Sequence, residues 1–97
     1  MFLLKIHASD KGGVAAVCDA ELLGKAFETG DFCILVEEGF FGGKTATSLE
    51  ISDAMRRCAT ANIVGNRIIS ELVCSGIIKE SGIKEINGVK YAMIFRL

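Results

Sequence analysis

Phe2, Leu4, Ile6 and Ala8 alternate with Leu3, Lys5 and His7 at the start of the chain. This period of two is that of a strand with one buried face. Ser9 to Gly13 is a turn cluster, and the apolar run VAAVC after it completes a first hairpin. Asp19 then stands where an N-cap belongs, ahead of a short helix with Leu22, Leu23, Ala26 and Phe27 on one face, ended by Gly30 and Asp31. Phe32 to Val36 reads as a strand, with Glu37 to Phe41 pairing back on it through Glu38-Gly39.

Thr47 and Glu50 have the spacing of a capping box, so a helix is predicted to begin near Ser48. Ile51, Ala54, Met55 and Cys58 mark its apolar face, and Asp53 and Arg57 face outwards as an i, i+4 pair. A second helix is predicted from about Asn62 to Ser75, because Val64, Ile68, Ile69, Leu72 and Val73 fill a wide apolar arc. Gly65 falls within that arc, where a missing side chain lets another backbone approach. Gly76 suits the left-handed position after the helix, with Ile77 folding back on Leu72 as in a Schellman motif. Asn87-Gly88 is a type I′ turn signal that sets Ile86 opposite Val89 and Glu85 opposite Lys90. That register puts Ile86, Val89, Tyr91, Met93 and Phe95 on one face, expected to be the core face. The order of elements predicts an α+β fold: a small antiparallel or mixed sheet, a helix pair and a C-terminal β-hairpin.

A chain of 97 residues with 51% hydrophobic and 24% charged content is expected to form one domain spanning 1–97. So high an apolar share in so short a chain leaves surface for a subunit interface, which makes self-association an expectation. No apolar run reaches the roughly 18 residues of a membrane span, and MFLLKIHASDK has neither a basic leader nor a long apolar region, so a cytoplasmic location is expected. Residues 1–43 carry three lysines against seven acids, and residues 44–97 carry eight basic groups against five acids. The net charge of −1 predicts a dipolar surface rather than a strong grip on nucleic acid.

Gly43-Lys44-Thr45 looks like the end of a phosphate-binding loop, but G-x-x-x-x-G-K-[ST] demands glycine at position 38, and Glu38 is there. A carboxylate at that place opposes phosphates, so no nucleotide is expected. The bland reading is a turn carrying Phe40 and Phe41, both packed on the core; an available Phe41 beside Gly42, Gly43 and Lys44 would instead stack on a base or fill a protein pocket. Cys18, Cys33, Cys58 and Cys74 form no C-x-x-C knuckle, and with His7 the one histidine, neither a metal nor a cofactor is expected. Buried, inert thiols are the favoured reading, Cys74 being the thiol nearest a polar face. His7 is expected at a surface or edge, and no nucleophile, base and orienting group share a recognisable spacing, which ranks an enzyme last.

RRCATANIVGNR gathers Arg56, Arg57, Thr60, Asn62, Asn66 and Arg67 at what reads as a helix junction. A helix N-terminus near Asn62 with three arginines close by suits a phosphate. Against this, Thr60 or Asn62 can simply cap the helix, and Asp53 and Glu71 can neutralise Arg57 and Arg67.

AAVCDAELLGKAFETGDF, FFGG, ATANIVGNR and the closing NGVKYAMIFRL together resemble an archaeal family of small proteins known as domain of unknown function 424, over almost the whole chain. The matching positions are Gly24 and Lys25, then Phe41, Gly42 and Gly43, then Asn62 and Gly65; Phe40-Phe41 replaces a more usual Phe-Tyr. The resemblance implies a cytosolic archaeal protein with no assigned catalytic residue, from genes that often lie near those of translation and ribosome biogenesis. The expectation is therefore a noncatalytic module that binds structured RNA or a translation-associated protein through Phe41 to Lys44 and Arg56, Arg57, Asn62, Gly65, Asn66 and Arg67. The alternative is a homo-oligomeric protein-interaction module that binds no nucleic acid.

Overall fold

The computed structural model describes residues 1–95. They form β1 (Phe2–His7), β2 (Val14–Asp19), β3 (Ala26–Thr29), β4 (Phe32–Leu35), α1 (Glu38–Phe41), β5 (Lys44–Ala46), α2 (Ser48–Arg57), β6 (Thr60–Val64), α3 (Asn66–Cys74), β7 (Lys84–Ile86) and β8 (Val89–Phe95). The fold is α+β. Six strands make a mixed sheet in the order β5-β1-β2-β6-β8-β7, and β3 and β4 make a separate antiparallel pair. Only β2 and β6, at the centre, run parallel. Central strands of a covered sheet need apolar residues on both faces, which is why VAAVC lacks polar alternation.

Each sheet face has its own core. Phe2, Leu4, Ala15, Val17, Ala61, Ile63 and Ala92 pack under α2 and α3, against Ile51, Ala54, Met55, Ile68, Ile69 and Leu72. The opposite face carries Leu3, Ala16, Cys18, Val64, Val89 and Tyr91, covered by Phe27, Ile34 and Val36 from the β3–β4 segment and by Phe41 of α1.

Local signals with short-range partners are realised as predicted. Thr47 Oγ1 accepts from the Glu50 N–H at 3.1 Å while Glu50 Oε1 accepts from the Thr47 N–H at 2.9 Å. At the end of α3, Gly76 adopts φ +76°, and the N–H groups of Gly76 and Ile77 donate to Val73 and Leu72, the bond pair of a Schellman motif. The Asn87-Gly88 turn sets Ile86 opposite Val89 and Glu85 opposite Lys90.

Four expectations are corrected. The segment after Asp19 is a single 3-10 turn, Ala20–Leu22, leading into β3, because Gly24 donates to Val36 and Val36 donates to Lys25, extending the β3–β4 ladder. Glu37 to Phe41 is no strand: β4 pairs with β3, and Glu38–Phe41 forms the short helix α1. The helix predicted from Asn62 is a strand, Thr60–Val64, followed by α3 from Asn66. A run of Ala, Asn, Ile and Val satisfies both periods, and the sheet wins because β6 pairs on both sides. Lastly, the face of β8 expected in the core is only partly covered: Ile86 is buried and Tyr91 half-buried, but Met93 is 56% and Phe95 67% exposed, while Ala92 and Ile94 lie under the helices.

Candidate functional site

The arginine segment does not form a cluster. Arg57 ends α2 and Arg67 begins α3, with β6 stretched between them, a separation of about 15 Å from strand length alone. Arg57 pairs with Asp53 at 3.1 Å, as the spacing predicted. Arg67 is bound elsewhere than its helix suggested. Its guanidinium takes Glu21 rather than Glu71, through Nε to Oε2 at 3.0 Å and Nη2 to Oε1 at 2.5 Å, also donates to the Met1 carbonyl, and lies over the Phe2 ring. The hydrogen bonds from Arg67 hold the Glu21 carboxyl below the usual carboxylate range.

The α3 N-terminus already holds an anion. Asp19, buried at the end of β2, accepts from the Arg67 N–H and the Ile68 N–H, both at 3.0 Å. Asp19 is thus the cap its residue type promised, but of a helix 48 residues further along. Gly65 makes this geometry available: its φ of +136° suits glycine, and a Cβ there would collide with the Asp19 carboxylate. Asn66 is also occupied, donating to the Gly88 carbonyl at 2.9 Å and accepting from the Lys90 N–H at 2.7 Å. Carboxylate, amide and guanidinium are therefore absorbed in joining β2, α3 and the β7–β8 hairpin.

GFFGGK forms α1 and its passage into β5. Gly43 is pressed against β1 so closely that a Cβ would strike the Leu4 carbonyl, so this glycine serves backbone packing. Phe41 is buried against Val36, and Phe40 is half-buried. His7 Nε2 lies 2.9 Å from the Phe40 carbonyl, which can only accept, so Nε2 carries hydrogen there. The two rings stack at 4.7 Å, and Lys5 Nζ donates to the neighbouring Gly39 carbonyl. Lys44, exposed on β5, shares a surface cleft with Lys5, Arg57, Glu50 and Asp53.

Strand register builds a different site on the same face as α1. Leu3, Cys18, Val64 and Tyr91 form one row across the sheet, Lys5, Ala16, Asn62 and Met93 the next, and His7, Val14, Thr60 and Phe95 the last. The β3–β4 segment and α1 cover the first row, but cover runs out along the second. There a groove of about 250 Å³ opens, lined by Phe32, Phe40, Tyr91 and Met93, with Asn62 contributing a carboxamide among them. Phe32, 49% exposed, stacks on Tyr91 at 5.9 Å to form one wall, and Phe40, edge-on to Phe41, forms the other. The Asn62 carboxamide makes no hydrogen bond to any described residue. Asn62 was among the expected site residues; Phe32, Tyr91, Met93 and Phe95 were not, because alternation shows that a face is apolar without showing where its cover stops.

Among the described residues, no group of three His, Cys, Asp or Glu could hold a metal, and no helix is long and apolar enough to cross a membrane. Cys18 and Cys58 are buried as expected, but Cys33 and Cys74 are exposed. Burial raises the Cys18 thiol to about 11, assisted by the charges of Asp19 and Glu21.

The family model described as "Protein of unknown function (DUF424)" matches residues 6–97. The chain belongs to the DUF424 family. A solved structure similar to this DUF424 chain is that of an uncharacterized conserved protein from Methanopyrus kandleri, with 27% identity, a TM-score of 0.82, and coverage of 99% of this chain and 91% of that one. No curated protein matches the DUF424 sequence.

Proposed function

We propose that this DUF424 protein is a noncatalytic binding module of the cytoplasm, and that its recognition surface is the open half of the sheet face between the β3–β4 hairpin and α1. One observation carries this reading: Asn62 presents an unbonded carboxamide in a groove otherwise lined by aromatic rings, Met93 and aliphatic residues such as Ile34 and Val64. The carboxamide is reached by water and open to an incoming partner, and an aromatic and methionine lining with little charge is characteristic of protein contacts. The translation-associated setting is what the family resemblance implies, and a protein of that setting is the partner favoured here.

RNA binding is the second reading, and its support lies outside the groove. Lys5, Lys44 and Arg57 share one cleft against Glu50 and Asp53, and Arg56 is exposed on the last turn of α2. With so small a cationic excess, binding there would be weak and steeply salt-dependent.

Both readings are tested by adding purified ribosomal subunits, ribosomal RNA or tRNA to the isotope-labelled protein and mapping signal broadening. The groove reading expects broadening at Asn62, Met93, Phe32 and Phe40 that persists at near-physiological salt. Broadening confined to Lys44, Arg56 and Arg57, and lost with salt or in the Arg56→Glu/Arg57→Glu variant, assigns the contact to RNA. No broadening with any of the three additions removes the translation-associated reading.

A further inference from the structure

We propose that Asn87-Gly88 is a self-modification site: the Gly88 amide nitrogen closes on the Asn87 carboxamide, and the conversion severs a tie that holds the β3–β4 cover to the C-terminal hairpin. Nothing in this depends on what the groove binds.

The turn presents both reacting groups. Asn87 and Gly88 are exposed, and the Gly88 N–H lies outside the Ile86–Val89 ladder, with no acceptor among the described residues. No side chain shields that nitrogen, since even a Cβ built on Gly88 would meet nothing within 4 Å. The other two asparagines differ: Asn62 precedes the branched Ile63, and Asn66 precedes Arg67 and has both ends of its amide bound, to the Gly88 carbonyl and the Lys90 N–H. The chemistry needs no partner but water. Gly88 N bonds to Asn87 Cγ, the Cγ–Nδ2 bond breaks, and ammonia leaves with the Gly88 amide proton. Water then opens the succinimide at one carbonyl or the other, giving aspartate or isoaspartate.

One hydrogen bond supplies both the brake and the consequence. Asn87 Nδ2 donates to the Glu28 carbonyl of β3, which ties the leaving nitrogen to the cover. Ring closure must free that nitrogen, so it waits on an opening of β3 and β4, neither of which contains a fully buried residue. An ionised aspartate at this position only accepts, so it cannot restore the bond to a carbonyl. An isoaspartate also adds a carbon to the main chain of a loop whose two residues set Ile86 opposite Val89 and place the Gly88 carbonyl on Asn66. Either product leaves the cover without its tie, so an opening that ends in conversion makes later openings easier.

The test incubates the folded protein in mildly alkaline buffer and follows the peptide spanning Asn87-Gly88 by mass spectrometry, with isoaspartate resolved by chromatography. The expected result is amide-to-acid conversion there, with Asn62 and Asn66 retained. Val36→Ala, which loosens the cover, should speed the conversion by about tenfold. The structural consequence is read by hydrogen exchange in Asn87→Asp, and in Asn87→Gly, which suits the positive-φ turn and carries no carboxamide. In both, the β3–β4 amides should exchange about three- to tenfold faster, the effect of one lost neutral hydrogen bond, while the β2 and β6 amides keep their protection.

Retention of Asn87 in the folded protein, under conditions that convert it in urea, overturns the proposal. Conversion at the parent rate in a folded Val36→Ala variant overturns the gating by the cover. Unchanged β3–β4 exchange in both Asn87 variants overturns the tie, and equal acceleration at β2 and β6 overturns its confinement to the cover.

Discussion

At the residue scale, Asp19 shows how a side chain can be legible by type and illegible by partner. A carboxylate ahead of a run of helix formers is a sound cap signal, yet the cap it forms is on α3, brought alongside only when β2 and β6 pair. Sequence spacing holds no trace of that pairing. Two variants probe the joint. Asp19→Ala leaves two helix N–H groups without their acceptor and should cost about 2 kcal/mol in urea unfolding. Gly65→Ala forces a side chain into a positive-φ backbone and onto Asp19, and should cost more than about 3 kcal/mol; an alanine tolerated there within 1 kcal/mol would contradict the geometry. Cys18, beside Asp19, supplies a pH dependence with a defined sign. The unfolded thiol ionises near 9.0 and the folded one near 11, so the unfolded chain releases its proton first. Stability from this group is flat below pH 9 and falls between pH 9 and 11, by on the order of 2 kcal/mol. Comparing urea midpoints of the protein and its Cys18→Ala variant at pH 8 and pH 10 isolates that slope. The variant should be less sensitive to the rise.

At the element scale, what could be read from the sequence is what closes within a few residues. The capping box of α2, the Schellman end of α3, the Asp53–Arg57 pair and the Asn87-Gly88 turn each join groups no more than five positions apart. ATANIV failed for the opposite reason: its residues satisfy helix and strand periods alike, and pairing with β2 and β8 decides between them. Asn62 was accordingly expected at a helix start and is found in the floor of a groove. The capping box permits a direct test. Thr47→Ala removes the acceptor for the Glu50 N–H and should cost about 1 kcal/mol. The hydrogen bonds to Thr47 hold the Glu50 carboxyl below its ordinary value, so the reciprocal bond persists as pH falls past the usual glutamate range and is lost only lower. In the Thr47→Ala variant the Glu50 titration, followed by NMR, should move back up towards that value.

At the scale of the whole molecule, the unequal covers of the sheet govern both its stability and its available surface. α2 and α3 seal one face with Ile51, Ile68, Ile69 and Leu72, each almost wholly buried, whereas the other is covered by a four-residue helix and a two-stranded segment whose β3 and β4 contain no fully buried residue. A two-stranded pair has little independent stability, so its protection derives from Phe27, Ile34 and the neighbouring Val36 packing on Cys18, Val64 and Tyr91. This asymmetry was hidden in the sequence: alternation marked the face of Tyr91, Met93 and Phe95 as the core face of β8, whereas the better-sealed face is that of Ala92 and Ile94, because alternation shows which residues share a face and not which layer covers it. The consequence is a hierarchy of opening. Native-state hydrogen exchange should show the β3–β4 amides opening sub-globally, while the paired amides of β2 and β6 exchange only through global unfolding. Val36→Ala should deepen that difference by lowering the free energy of the smaller opening by about 2 kcal/mol more than is lost at β2. Equal protection of β4 and β6 would show that the two layers unfold as one unit. A low-stability cover beside Asn62 would also let the groove widen for its ligand at small cost, because the wall formed by Phe32 moves with the segment that opens first.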